Sequence, residues 1–267
     1  MQSIREWITP LIRQAGKTML EARNVENSDH ITVKPGDVNF VTVYDVAIQD
    51  FLMQEIQKQI PEACFIAEEQ ENDTSILSRK YCFLIDPIDG TTNFICDYRH
   101  SAVSVALFSY GVPVFGAVYD PYLDELFWAE RGKGAYLNGT PIHVSERPLA
   151  LAMVAFGSAP YYKEQLSNNT FQLLKELFLC CADIRRCGSA ALDLAYLAAG
   201  RNDIFFEYRL SPWDIAAGAL LVAEAGGILS DMNGNPIDYT KPTPVIAATA
   251  QVYPLLLNKI QGNALQL

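Results

Sequence analysis

The chain's 267 residues are half hydrophobic and carry 31 acidic against 20 basic side chains, for a formal net charge of −11 and a pI near 4.7. That balance excludes a nucleic-acid surface, which needs Lys and Arg clustered against phosphates, and no apolar run approaches the roughly 20 residues of a membrane span. Six cysteines with no C-x-x-C spacing suggest neither a zinc site nor a disulfide framework, so buried thiols in a reduced, cytoplasmic protein are expected.

In chain order, Arg5, Glu6 and Arg13 interrupt an apolar period in a way that fits an amphipathic helix rather than a signal peptide, and a helix is expected over residues 4–26. Residues 31–33 and 41–43 read as strands joined by a Pro35-Gly36 turn, and 46–59 as a helix. The apolar runs 65–67 and 81–85 are of buried-strand type, and 101–108, 112–119, 125–129 and 134–137 form a meander. Further on, strands at 154–157, 183–185, 203–206, 227–230 and 245–248 interleave with helices at 161–178, 190–199, 214–225 and 253–261. Surface excursions are expected around Asn72-Asp73-Thr74 and from Ser158 to Asn169. Without a linker or repeat, this order predicts mixed α/β structure in a single domain over 1–267, its two closely packed halves spanning about 1–145 and 146–267.

The run ending at Ile85 delivers Asp86-Pro87-Ile88-Asp89-Gly90-Thr91-Thr92-Asn93 where a buried strand stops, which is where α/β proteins place their sites. Pro87 holds Asp86 extended, so a sharp turn should bring Asp89 back beside it, with Thr91 or Thr92 capping a helical turn from near Asn93. Two carboxylates, the Ile88 carbonyl and water are hard ligands of the kind Mg2+ accepts, and free N–H groups at a helix start suit a phosphate. A lone Asp-Pro-x-Asp-Gly reads more readily as a turn capped by Thr, so further acids are needed to overturn that reading. Glu68 and Glu69 end the run 65–67, one of them expected to point inward. Ser211-Pro212-Trp213-Asp214 opens a helix, with Ser211 as N-cap, Asp214 at the positive end of the macrodipole and Gly226 as terminator. The small residues behind Trp213 would let that helix back closely onto a sheet.

Together, Asp86-Pro87-Ile88-Asp89-Gly90-Thr91 and Trp213-Asp214-Ile215-Ala216-Ala217-Gly218 resemble the two signatures of the inositol monophosphatase family. Residues 41–45, 132–139 and Gly188-Ser189-Ala190-Ala191 resemble further family segments in the same order, so the likeness covers nearly the whole chain. It implies a layered α-β-α-β-α sandwich of the inositol monophosphatase and fructose-1,6-bisphosphatase type. The implied activity is a Mg2+-dependent, lithium-sensitive phosphomonoester hydrolase, inositol 1-phosphate the leading substrate, acting as a homodimer with two or three Mg2+ ions per site. In that pattern Glu68, Asp86 and the Ile88 carbonyl hold one ion, and Asp86, Asp89 and Asp214 a second, with the ions roughly 3.5–4 Å apart. Thr91 orients the attacking water, with Asp45 its acidic partner and Glu68 beside the metal. Asp89, Gly90, Thr91, Gly188, Ser189, Ala190, Glu207 and Asp214 contact a small phosphorylated polyol or sugar. Lys34 and Arg185 are the nearest basic matches. Ala67 and Asn39 depart from the usual Gly and Asp, without removing a metal ligand.

Other chemistries fit less well. A haloacid-dehalogenase phosphatase separates its two acids by one residue, whereas Asp86 and Asp89 are separated by two. Gly132-Lys133-Gly134 lacks the P-loop context. His30, His100 and His143 show no zinc-ligand spacing, and each reads as surface or satisfied structure. Within the fold, fructose 1,6-bisphosphate or 3′-phosphoadenosine 5′-phosphate would want extra basic or aromatic groups such as Arg185, Arg186 and Tyr208. A partner-binding protein that retains the fold is the alternative of a different class.

Overall fold

The structure, a computed structural model, describes residues 4–22, 25, 31–33 and 40–264. Helix α1 (Ile4–Glu21) turns Ile8, Ile12, Ala15 and Met19 into the core at helical spacing. It ends at Glu21 rather than near the expected Glu26, since Ala22 and Val25 are not helical, while His30, Lys34, the Pro35-Gly36 turn and Asn39 lie outside the described residues. Strands β1 (Ile31–Val33) and β2 (Phe40–Thr42) pair antiparallel. Helix α2 (Val43–Gln59) begins three residues before the expected residue 46, because Thr42 and Asp45 close a capping box that satisfies its first N–H groups.

The seven strands β3 (Cys64–Ala67), β4 (Cys82–Asp89), β5 (Ala102–Ser109), β6 (Val112–Asp120), β7 (Glu125–Glu130), β8 (Ala135–Leu137) and β9 (Thr140–Ile142) form one sheet in chain order. Only β3 and β4 run parallel; the other neighbours are antiparallel. β9 was not anticipated, its three residues being half-buried or exposed and carrying a proline. The excursion at Asn72 folds back, since its side chain accepts from Ala67 N (3.0 Å) and donates to Ala67 O (2.7 Å). A short helix α3 (Thr91–Ile95) follows β4.

In the second half, β10 (Met153–Phe156), α4 (Lys163–Phe178), β11 (Asp183–Arg185), α5 (Ala190–Ala198), β12 (Ile204–Leu210), α6 (Pro212–Glu224), β13 (Gly227–Ser230), β14 (Thr243–Thr249) and α7 (Tyr253–Ala264) follow in order. Five of these strands form a mixed sheet ordered β11-β10-β12-β14-β13. α4 starts at Lys163 rather than Tyr161 because Pro160–Tyr162 makes a separate 3-10 turn.

α5 and α6 fill the space between the two sheets, burying Ala191, Leu194, Ile215 and Leu221 against Ala106, Phe127, Phe205 and Ala247. α1 and α2 cover the outer face of the seven-stranded sheet, and α4 and α7 that of the five-stranded one. The layers therefore run α-β-α-β-α. The close backing expected of α6 is present: a Cβ at Gly116 of β6 would stand 2.9 Å from the backbone of Ala217. Among the described residues no helix is long and apolar enough to cross a membrane.

Candidate active site

β3 and β4 end side by side with Ala67 opposite Ile85, so Glu68 and Asp86 leave the two strands at one level. β4 does not stop at Asp86 and turn, as the sequence suggested, but continues through Asp89. Its pairing with β5 slips, Asp86 facing Ser104 and Asp89 facing Ala102, so three steps on β4 match two on β5. Pro87 has no N–H to give to the ladder, and a bulge accommodates it. In a regular strand residues three apart face opposite sides. The bulge instead sends Asp86 and Asp89 into one cavity of about 630 Å3, lined also by Glu68, Asp214, Thr91 and Glu207.

Four buried aspartates of the site are keyed by backbone. Asp86 Oδ1 accepts from Ile88 N (3.1 Å), Asp89 Oδ2 from Ala191 N (2.7 Å) and from the Ser189 hydroxyl, and Asp214 Oδ2 from Ser211 N (2.7 Å). Asp45 Oδ2 accepts from Thr42 N (2.7 Å) and Thr42 Oγ1 (2.5 Å), which leaves Oδ1 facing Thr91. Thr91 is not the cap of α3. Gly90 takes that place at φ +92, where a Cβ would press on Gly188 O and His100 O. The Thr91 hydroxyl is thereby released to donate to Asp45 Oδ1 (3.3 Å) or to the Ile88 carbonyl (3.2 Å). Of the paired glutamates, Glu68 lines the cavity and Glu69 is not among its lining residues.

Burial raises every one of these aspartates, and neighbouring acids raise them further. Asp86 and Asp214 are held well above the ordinary carboxylate range, Asp86 by burial and then by Glu68, Asp89 and Asp214. Asp89 reaches about 6 against the hydrogen bonds from Ser189 and Ala191, and Asp45 about 7. Like charges gathered in a buried cleft with hard oxygen donors and a spare carbonyl make a set that fits divalent cations of the Mg2+ kind, since opposite charge is what the cluster lacks.

The facing wall comes from the five-stranded sheet. Glu207, which the family resemblance makes a polyol contact, stands on this wall. It is buried within β12, which runs on to Leu210, and burial pushes it to about 7. Its Oε1 accepts from Ala159 N (2.8 Å), and a Cβ at Gly157 would fall inside its carboxylate. Gly188, Ser189 and Ala190 line the same cavity, with the Ser189 hydroxyl committed to Asp89 and to Leu192 N. Arg186, not Arg185, reaches the cavity: Arg185 turns to Asp183, while Arg186 donates to Ser158 Oγ (3.0 Å). Successive side chains of an extended segment point to opposite sides, and β11 ends with Arg185 outward. Tyr208 is absent from the lining; Tyr161, Tyr162, Lys163 and Arg209 are there instead. No spacing signalled them, because Ala159 turns the chain inward from a left-handed conformation without a glycine. His100, expected to be surface or satisfied, is half-buried and its Nε2 has no hydrogen-bond partner.

A model of the inositol monophosphatase family matches residues 1–264. Among curated proteins, Nus factor SuhB of Vibrio cholerae is 39% identical over 256 residues, covering 94% of this chain and 93% of its own. Among solved structures, extragenic suppressor protein suhB from Bartonella henselae is similar with a TM-score of 0.88 at 34% identity, covering 97% of this chain and 98% of the other. Thermotoga maritima IMPase is similar with a TM-score of 0.87 at 30% identity, covering 100% and 99%.

Proposed function

Because the chain belongs to the inositol monophosphatase family, we propose that it hydrolyses a small phosphorylated polyol in a Mg2+-dependent reaction, with inositol 1-phosphate as the leading substrate. The observation that carries this is the convergence of Glu68, Asp86, Asp89 and Asp214, from three separate elements, on one cavity whose far wall offers Glu207 and Arg186. Glu68, Asp86, Asp89, Asp214 and the Ile88 carbonyl would hold two or three Mg2+ ions. When bound, such ions neutralise phosphoryl charge, acidify a water and cover the departing alkoxide.

The chain's own groups do the rest. Thr91, donating to Asp45, keeps its lone pairs for a water, and Asp45, raised to about 7, can take up a proton through it near neutral pH. The first-turn N–H groups at Gly90 and Thr91 have no acceptor inside α3 and face phosphoryl oxygens. Ser189 fixes Asp89, Gly188 and Ala190 leave room for the polyol ring, and Glu207 accepts from its hydroxyls while Arg186 balances charge. We take the two halves as one domain, since α5 and α6 belong to the core of both sheets, and expect a cytoplasmic homodimer sensitive to lithium.

Phosphate release with Mg2+ from inositol 1-phosphate, fructose 1,6-bisphosphate and 3′-phosphoadenosine 5′-phosphate tests the reading. Tyr161, Tyr162 and Arg209 in the wall keep the nucleotide in the panel. A preferred polyol phosphate supports the proposal, and preference for another ester reassigns the substrate. The name Nus factor carried by the Vibrio relative favours a second reading, a partner-binding role on the same fold. Silence across the panel from folded, Mg2+-binding protein would favour it.

A further inference from the structure

Beside the carboxylate floor lies a second group of donors, which reaches the same cavity through Asp193. Asp193, in the first turn of α5, is 1% exposed, yet its Oδ1 has no hydrogen-bond partner. His100 Nε2, at the end of the loop between α3 and β5, is buried in the same condition. Cys187 Sγ completes a triangle in which all three ligand atoms lie within 4.8 Å of one another. Cys187 and Asp193 flank the start of α5, His100 comes from a segment remote in the chain, and the backbone that carries two of them is already fixed. Asn93 Nδ2 donates to both His100 O (2.7 Å) and Cys187 O (2.8 Å), and the Tyr196 ring meets His100 edge-on at 5.9 Å.

We propose that His100, Cys187 and Asp193 form a binding site for a single Zn2+ ion, distinct from the Mg2+-type carboxylate centre. The donor set selects the metal: an imidazole, a thiolate and one carboxylate suit a borderline ion such as Zn2+, whereas Mg2+ and Ca2+ want oxygen alone. The spacing suits it too. Bond lengths of tetrahedral zinc put neighbouring ligand atoms about 3.3–3.8 Å apart, so the triangle closes with side-chain shifts of roughly an ångström, leaving a fourth position for water. Binding turns Cys187 from thiol to thiolate and the buried Asp193 from acid to carboxylate, each proton leaving to solvent as the S–Zn and O–Zn bonds form. Burial already holds His100 in the neutral form that ligates. A direct hydrogen bond between His100 and Asp193 is the competing account, and it gives Cys187 no part.

The site sits immediately before Gly188 and Ser189, so the ion would pin the loop whose serine holds Asp89. The test is titration of chelator-treated, reduced full-length protein with Co2+ in saturating Mg2+, following the thiolate-to-cobalt charge-transfer absorption. One Co2+ per chain with that absorption is expected, displaced by Zn2+. It should vanish in Cys187→Ser, weaken at least about tenfold in His100→Gln, and persist in Glu68→Gln, which alters only the carboxylate centre. Absence of the band at stoichiometric Co2+, or its survival in Cys187→Ser, overturns the proposal. Where Cys187→Ser fails to fold by circular dichroism, His100→Gln decides alone, and an unchanged band in it overturns the proposal as well.

Discussion

The floor and the wall of the cavity are built by different means. On the floor, Asp45, Asp86, Asp89 and Asp214 sit in a strand or in the first turn of a helix, and each carboxylate accepts from at least one backbone N–H. The wall has one such anchor, Ala159 N on Glu207, and Ala159 is itself strained at φ +43. Beside it, Tyr161 is 43% exposed and Arg186 rests on the single hydroxyl of Ser158. Groups whose positions decide a reaction barrier are held by regular structure, while on the wall, Glu207 in β12 apart, the groups that recognise a substrate are carried by loops that change without disturbing the core.

The strongest way to break this contrast is Asp89→Asn. The amide keeps an acceptor for Ser189 and Ala191, so the protein should fold with an unchanged circular-dichroism spectrum. Turnover should fall about 10³-fold, because one anionic ligand is lost where transition-state charge is stabilised. Turnover at the wild-type level would remove the floor from the chemistry altogether.

Metal-dependent stability gives the next largest effect. Asp45, Asp89 and Glu207 all have folded-state values raised above their ordinary ones, to about 7, 6 and 7. Raised carboxylates favour the folded state at low pH, and that contribution is lost as pH climbs from about 4 to 7. Without divalent ions the protein should therefore weaken over that window. Mg2+ should restore the loss by neutralising the floor, adding about 2.7 kcal/mol at a hundred times its dissociation constant, or roughly 5–10 °C in Tm. Thermal melts with Mg2+ and with chelator should coincide near pH 5 and separate at pH 8. Equal separation at both values would mean that Asp89 and the other floor ligands do not bind the ion.

Thr91→Ala sharpens the comparison within the floor itself. Losing the hydroxyl between Asp45 and the water should lower kcat about 10²-fold with KM nearly constant, and Thr91→Ser should recover most of it. A rise in KM with kcat intact would move Thr91 from the reaction to substrate binding.

The same contrast explains what was legible in the sequence. Asp86, Asp89 and Asp214 stand near Pro87 and Pro212, which restrict the backbone, and Gly90, which frees it for a tight bend, so their convergence was readable from neighbours a few positions away. The bulge that aims Asp86 and Asp89 together depends on register against Ser104 and Ala102, which no local spacing contains. Arg186 rather than Arg185 faces inward because of where β11 ends against β10. Glu207 is buried because Gly157, just past the end of the neighbouring β10 with its N–H donated to Phe206 O (3.0 Å), leaves it room. The triangle of His100, Cys187 and Asp193 has no sequence spacing to betray it. Alternation and capping gave most of the layers their elements, while the wall was settled by contacts between segments remote in the chain.

Glu207→Gln is the mildest change and probes the wall alone. Glutamine keeps an acceptor for Ala159 N and fills the same space opposite Gly157, so stability should change little. What it removes is the negative charge that a polyol hydroxyl meets beside Arg186. Since Glu207 sits near 7, the wild-type group is largely neutral at pH 5.5 and largely ionised at pH 8.5. Hydrogen bonds to a charged acceptor are stronger than to a neutral one by about 1 kcal/mol or somewhat more. The variant's KM should therefore match the wild type at pH 5.5 and exceed it about tenfold at pH 8.5, with kcat within a few-fold throughout. A ratio that stays flat across pH would mean that the Glu207 charge does not touch the substrate, and the wall would then recognise its ligand through Arg186 and the tyrosines.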